Sequence, residues 1–375
     1  MLIYWFFFTV LLIIGTGEVL LDRNHIITKP AKIVIVLLLV PLIVFAGGRL
    51  NTGLDYFGYL RYFNESQSGR LDIINRIVEP GYVLLNKLMP TYRSLLFLLA
   101  IVCIGIKART FVTLKVKYPF FIIFVYYSTY FLFYDMGVMR QGLAIGICLY
   151  SIRFIKEKKL NGFLICILVA ASLHISSVAF LVMYPLGKKR LKMSQYFTII
   201  TICVFVILAD INLVNVIGAV SNMFHSELIL NRLEYYYIPH SGNSLKGTAI
   251  KRGLMGLLFV ALLCKKRNTN VICQTFDERE YCEDRWIFLN GYTFSMVALA
   301  GMYVIGLHNI AGRFSAGLYA NCWFLYDCIL YTTRKKAIHY ICLILFIALS
   351  TYSFYETLYF SADNSYIQYL FFIGD

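Results

Sequence analysis

The feature that most constrains this chain is a succession of long apolar runs separated by short stretches rich in lysine and arginine. The runs fall at 2–21, 32–47, 92–106, 118–134, 137–155, 160–174, 175–187, 195–219, 249–264, 286–306, 314–333 and 338–356. A bilayer core calls for about 17–25 apolar residues per helix. A backbone surrounded by lipid must satisfy its own hydrogen bonds, which a helix does within one segment. The expectation is an all-α polytopic membrane protein of about twelve transmembrane helices, with roughly 10–14 as the range. The runs at 92–106, 160–174 and 175–187 are short, so they either extend into their neighbours or form a re-entrant pair.

Composition excludes a soluble chain. Apolar residues make up 59% of the 375 and charged residues only 15%, against about 45–50% and 25% in a typical globular domain. A core cannot absorb that excess, so much of it faces lipid. One integral membrane domain over 1–375 is the default.

The net charge of +15, from 35 Lys+Arg and 20 Asp+Glu, would fit a nucleic-acid partner if it formed one surface. Instead it lies between the apolar runs, in Lys107/Arg109/Lys115/Lys117, Arg153/Lys156/Lys158/Lys159, Lys188/Lys189/Arg190/Lys192, Lys265/Lys266/Arg267 and Arg334/Lys335/Lys336. That is the pattern of cytoplasmic loops, and no nucleic-acid partner is expected. Alternation with the N-terminus outside puts every cluster inside, Arg23/Lys29/Lys32 included. Both termini then lie on the outer face. Two longer polar segments, 48–91 and 221–250, lie there too, while 265–285 is a cytoplasmic polar loop. The run from Leu2 has no basic residue before it and no small-residue cleavage site, so it reads as a retained helix. Most of the ten cysteines sit in apolar runs and no C-x-x-C occurs, which supports neither a zinc site nor a redox pair.

Charges near membrane depth are costly and normally face a cavity or a partner. Here they gather on the outer side: Arg49 and Asp55 after the second run, Glu79 before Pro80, Asp135, Arg140 and Gln141 between two runs, His174 between two more, and Arg313 late in the chain. Each has an ordinary explanation. Arg49 could snorkel at a helix end, Glu79 could cap a helix, Asp135 and Arg140 could pair across a helix start, and His174 could hydrogen-bond between helices. Together they suggest an anionic ligand held by arginines at the lipid–water boundary. No Asp-x-Asp lies on the outer face, so a metal-bound nucleotide-sugar donor is not supported.

The segments Arg-x5-Asp-Tyr at 49–56, Glu-Pro-Gly-Tyr at 79–82, Met-x2-Met-Arg-Gln-Gly-Leu-Ala at 136–144 and Ala-Ser-Leu-His-Ile-Ser-Ser at 171–177 resemble the EpsG family. That family groups bacterial exopolysaccharide membrane proteins with the Wzy-type O-antigen polymerases. The resemblance rests on motifs over roughly 1–190 and on topology beyond. The chain has Gly-Leu-Asp at 53–55 where Gly-Thr-Asp is usual.

What the resemblance implies is a metal-independent, cofactor-free membrane glycosyltransferase. It would sit in the bacterial inner membrane, with the outer face periplasmic, and serve O-antigen, lipopolysaccharide or exopolysaccharide synthesis. It would join oligosaccharide repeat units carried on undecaprenyl pyrophosphate, with membrane lipid and a chain-length regulator as further candidate partners. Arg140 and Arg313 would clamp the donor pyrophosphate and Arg49 the second carrier. His174 would be the general base, since an imidazole's ordinary pKa of about 6.5 suits neutral pH, with Asp55 and Glu79 as rivals. Tyr56, Tyr82, Asp135 and Gln141 would contact sugar or acceptor, and Tyr235, Tyr236 and Tyr237 offer further stacking faces or an interfacial belt. A lipid-linked oligosaccharide flippase or other transporter, an O-antigen-ligase-like enzyme and a non-catalytic assembly subunit remain alternatives. A transporter would show internal symmetry and charges spread through the membrane depth.

Overall fold

In this computed structural model residues 1–21, 29–69, 78–211, 213, 242–264, 276–333, 335–360, 366 and 369–371 are described. The tyrosine triplet at 235–237, most of the 221–250 segment, Lys265/Lys266/Arg267 and Arg334 lie outside them. Among the described residues five helices are long and apolar enough to cross a membrane, Leu2–Leu21, Tyr92–Thr113, Pro119–Gly137, Glu283–Val304 and Lys336–Phe360. The protein is an all-α membrane protein. Its helices form two compact units, Met1–Ile175 with Tyr326–Asp375, and Ser176–Leu325. Both are built from the same apolar helices, so composition marks no boundary between them.

The first unit contains α1 (Leu2–Leu21), α2 (Lys29–Gly47), α3 (Tyr56–Gln67), α4 (Pro80–Leu88), α5 (Tyr92–Thr113), α6 (Pro119–Tyr126), α7 (Met139–Lys156) and α8 (Leu160–Leu173). α6 runs on as a wider π-helix over Tyr127–Gly137. Ser128 and Thr129 donate their hydroxyls to the carbonyls of Phe124 and Val125 at 2.8 and 2.7 Å, a competition with the backbone ladder that loosens a helix. The π-helix stops where the Val138 amide donates to Phe133 O, and α7 starts at the next residue.

α6 enters the bundle with its first amides already paired. Asp327 accepts the Lys117 and Tyr118 amides at 2.9 and 2.7 Å. Glu18, from α1, accepts those of Phe120 and Phe121 at 2.9 and 3.0 Å. Helix N-termini leave such donors orphaned and favour negative charge, and Pro119 at the first position needs no partner. Asp327→Ala would leave two buried amides unsatisfied. It is expected to cost about 2–5 kcal/mol, read as a lower thermal midpoint in detergent, while Asp327→Asn, which keeps one acceptor, costs less. An unchanged midpoint in the alanine protein would show that Asp327 is dispensable as a cap.

The 48–91 segment, expected as a polar connection, instead holds α3 and α4. The signal was present at helical spacing: Tyr56, Tyr59, Phe63 and Ser66 are the buried residues of α3, one stripe of an otherwise polar helix. The chain's end returns to this region. Tyr366 and Tyr369 donate to the carbonyls of Leu132 and Phe45, both at 2.7 Å. The strands β1 (Arg49–Leu50) and β2 (Leu370–Phe371) pair antiparallel, with Arg49 opposite Phe371.

The second unit packs α9 (Met183–Leu186), preceded by a 3-10 turn over Ile175–Val182, with α10 (Met193–Leu208), α11 (Gly242–Leu263), α12 (Phe276–Val304) and α13 (His308–Tyr319). Asn290 of α12 fastens the chain after α9, donating to the carbonyls of Leu186, Gly187 and Lys189 at 2.8–3.0 Å. The run at 314–333 proves to be two helices, α13 and α14 (Cys322–Thr332), broken at residues 320 and 321. α15 (Lys336–Phe360), the last long helix, belongs to the first unit.

Candidate functional site

The first unit gathers three of the sequence motifs around Arg140, on the first turn of α7. Its Nη1 donates to Glu79 Oε2 at 2.5 Å, with the two side chains only 17% and 12% exposed. The guanidinium also lies over three tyrosine rings, Tyr59 and Tyr62 of α3 and Tyr82 of α4, with centroids at 5.5, 5.7 and 5.2 Å. Ring faces attract cations, and more strongly once water is excluded. Burial raises the phenol pKa of both Tyr59 and Tyr82, and the positive charge of Arg140 pulls each back. Nε of Arg140 has no hydrogen-bond partner among the described residues. Glu79 thus occupies one edge of a five-donor group.

Glu79 sits at the N-cap of α4 with Pro80 behind it, but its side chain makes no capping bond. Its Oε1 accepts the Ile175 amide at 3.2 Å, so one carboxylate joins Arg140 to the residue after His174. The approach is close because residue 81 is glycine. A Cβ there would collide with the Ser172 hydroxyl and carbonyl, which is the physical demand behind Glu-Pro-Gly-Tyr facing Ala-Ser-Leu-His. His174 itself caps α8 in an extended conformation, its amide on Ala170 O at 2.9 Å, and is 8% exposed.

Asp55 stands at the N-cap of α3, where its carbonyl accepts the Tyr59 amide at 2.9 Å. It is half-buried, and among the described residues it has no ion-pair partner. Of the two carboxylates named as rival bases, Asp55 is the one that no cation among the described residues holds.

Other expectations change. Arg49, expected to face a lipid carrier, is 1% exposed. Its guanidinium donates to Thr52 O at 3.1 Å, to Ala46 O and to the Met139 sulfur at 2.6 Å. Ala46 O belongs to the last turn of α2, where carbonyls lack helical partners. Burial lowers the pKa of Arg49, offset by the oxygens of Tyr92, Tyr366, Tyr56 and Tyr369. The residue braces the α2–α3 turn against α7 and does not present a free edge.

Asp135 does not pair with Arg140. It lies in the π-helix with Lys107, Nζ to Oδ1 2.6 Å, both side chains at most 1% exposed. Lys107 is therefore not a cytoplasmic surface charge, contrary to its place in the first basic cluster. Charge counting along the chain cannot register a partner 28 residues away. Gln141 is 1% exposed inside α7, and Tyr56 is 3% exposed, its ring edge-on to Tyr92. Neither presents a surface to a sugar in this structure. The ring of Tyr82 is given to Arg140.

In the second unit Arg313 is exposed on α13. Arg252 of α11, which no sequence motif marks, donates to Ser315 Oγ at 2.8 Å and lies 4.0 Å over the Tyr319 ring. Tyr59 and Tyr62 were missed as well. Their only signal was aromatic spacing of three on an amphipathic helix.

The three motifs that frame this site, and the fourth at 49–56, fall within a family match that takes in nearly the whole chain, since the model of the EpsG family matches residues 32–371. The chain belongs to the EpsG family. Searches among curated proteins and solved structures find no match. Family membership and the spanning helices together make this EpsG-family protein a multi-pass membrane protein of polysaccharide biosynthesis.

Proposed function

We propose that this protein is a polymerase that joins undecaprenyl-pyrophosphate-linked oligosaccharide repeat units at the periplasmic face of the bacterial inner membrane. The observation that carries the reading is Arg140, a guanidinium fixed by one carboxylate and three aromatic rings, with its Nε left without a hydrogen-bond partner among the described residues. In the reaction the bond between the donor's anomeric carbon and the lipid pyrophosphate breaks. A hydroxyl oxygen of the acceptor unit bonds to that carbon, and the hydroxyl proton passes to a base. The pyrophosphate leaves with its lipid and gains negative charge as it does so. Arg140 supplies a preorganised positive charge at that point, and a planar guanidinium can meet two phosphate oxygens at once. Glu79 holds Arg140 and orients it, while His174, with Asp55 as rival, takes the proton. Arg49 and Asp135 act inside the protein. Arg313, exposed in its own unit, is a separate candidate for a lipid phosphate.

The experiment is a deletion strain complemented with wild type or variants and scored by surface polysaccharide banding. Single-repeat product in the deletion supports a polymerase. Loss of every surface repeat would instead indicate a flippase or a ligase.

The same reading requires about twelve spans, with the α3–α4 segment outside. A cysteine at Phe57, exposed on α3, is expected to react with a membrane-impermeant maleimide in whole cells, and one at Lys189 only after lysis. Labelling of Lys189→Cys in intact cells would reverse the orientation and remove the periplasmic site.

A further inference from the structure

Lys107 and Asp135 are placed where charge is most costly, inside two helices long enough to span. Among the described residues their hydrogen bonds converge on Asp135 and Gly142, which flank the break before Arg140. Nζ of Lys107 contacts Asp135 Oδ1 at 2.6 Å, Gly142 O at 3.0 Å and Cys103 Sγ at 2.9 Å. The Cys103 thiol donates to the same carboxylate oxygen at 3.1 Å, and the Tyr126 hydroxyl to the other. Asp135 lies before the break and the Gly142 carbonyl after it, so one ammonium grips both sides with Arg140 between them. The first turn of α7 rests directly on the carboxylate. A Cβ at Gly142 would strike Asp135 Oδ1 and Tyr134 O, which accounts for the glycine in Arg-Gln-Gly.

We propose that Lys107 and Asp135 are positioning residues for Arg140. Their ion pair sets the angle at which α7 leaves the π-helix and so holds the guanidinium over Glu79 and the three tyrosines. Apolar residues of similar volume would fill the space and serve a bundle at least as well. They would not tie Gly142 O to Asp135 through one atom. The inference rests on the reading of Arg140 as the group that meets the donor pyrophosphate.

The test is the double variant Lys107→Met/Asp135→Asn in the full-length protein, which removes both charges together and leaves neither unpaired. It is expected to insert and melt like wild type. Its polymerisation of a defined lipid-linked repeat unit should fall about 10- to 100-fold, the scale of a small misplacement at a reacting centre. In an Arg140→Lys background, where the planar contact is already lost, the same double change should cost less than about twofold, because coupled residues are non-additive. Equal losses in both backgrounds, or full activity of the double variant, would overturn the proposal. Should the double variant not insert, Asp135→Glu keeps both charges while displacing the grip, and the same two-background comparison decides. Amide exchange over 138–143 separates this idea from the polymerase reading. If wild type makes no polymer, that reading fails. Faster exchange confined to 138–143 in the double variant would still support the pair as the setter of the break, and unchanged exchange would overturn it.

Discussion

Replacing Arg140 by alanine is expected to lower polymer formation by about 10²–10³-fold, the usual loss when one preorganised donor to developing negative charge is removed. Insertion and expression should stay near normal, because the space around Arg140 is lined by rings that pack against one another; Tyr59 and Tyr82 already meet edge to face at 5.6 Å. Lysine at 140 should recover only part of the rate, since it keeps a charge but not the planar fork. One complication has to be separated out. Removing the cation leaves Glu79, 12% exposed, as a nearly buried carboxylate without its partner, and such orphans destabilise. The double variant Arg140→Ala/Glu79→Gln removes that penalty. If Arg140 serves the leaving group, the double variant stays inactive. If Arg140 serves only to neutralise Glu79, the double variant polymerises. Rates measured on purified protein at matched folded fraction decide between them, and near-normal polymer from either variant would remove Arg140 from the chemistry.

The apolar runs were legible because lipid selects composition directly, and α1, α5, α15 and the continuous α6–π segment stand close to where hydropathy puts them. What hydropathy could not show is how helices break. The run at 314–333 looks continuous in composition yet parts at residues 320 and 321, and the π-helix ends one residue before α7 without any proline. The motifs were legible as a set, and Glu79, Arg140 and the residue after His174 do meet. Their internal division of labour was not. Arg49 and Arg140 look alike as outer arginines after apolar runs. One is saturated by the Thr52 and Ala46 carbonyls and the Met139 sulfur, and the other keeps an Nε without a partner among the described residues. That difference depends on contacts between residues 61 and 90 positions apart, which no local pattern records. Lys107 failed for the same reason, since its nearest charged neighbours in sequence are basic and its partner in space is Asp135.

The sharpest test of the chemistry separates the candidate bases. If His174 takes the acceptor proton, His174→Ala should lower the turnover rate by roughly 10²–10⁴-fold, the span of general acid–base catalysis. Binding of the lipid-linked substrate should change far less, because the proton moves only in the transition state. The structure sharpens the alternatives. Glu79 already accepts hydrogen bonds from Arg140 and from the Ile175 amide, so using it as a base would mean giving up the contact that orients the arginine. Glu79→Gln should therefore behave as a milder version of Arg140→Ala. It should weaken substrate binding and turnover together but only in part, since Gln loses the charge and still offers one oxygen to the guanidinium. Asp55 has no such commitment, being half-buried at the start of α3 without an ion pair among the described residues. If His174 is merely a hydrogen-bonded core residue, His174→Gln will retain most activity and the large defect will appear at Asp55→Asn. Stability must be matched before rates are compared, because His174 is 8% exposed and a loosened α8 would shift Ile175 off Glu79 and imitate a catalytic loss. A His174→Gln protein that melts like wild type and polymerises at a near-normal rate would transfer the proton to Asp55.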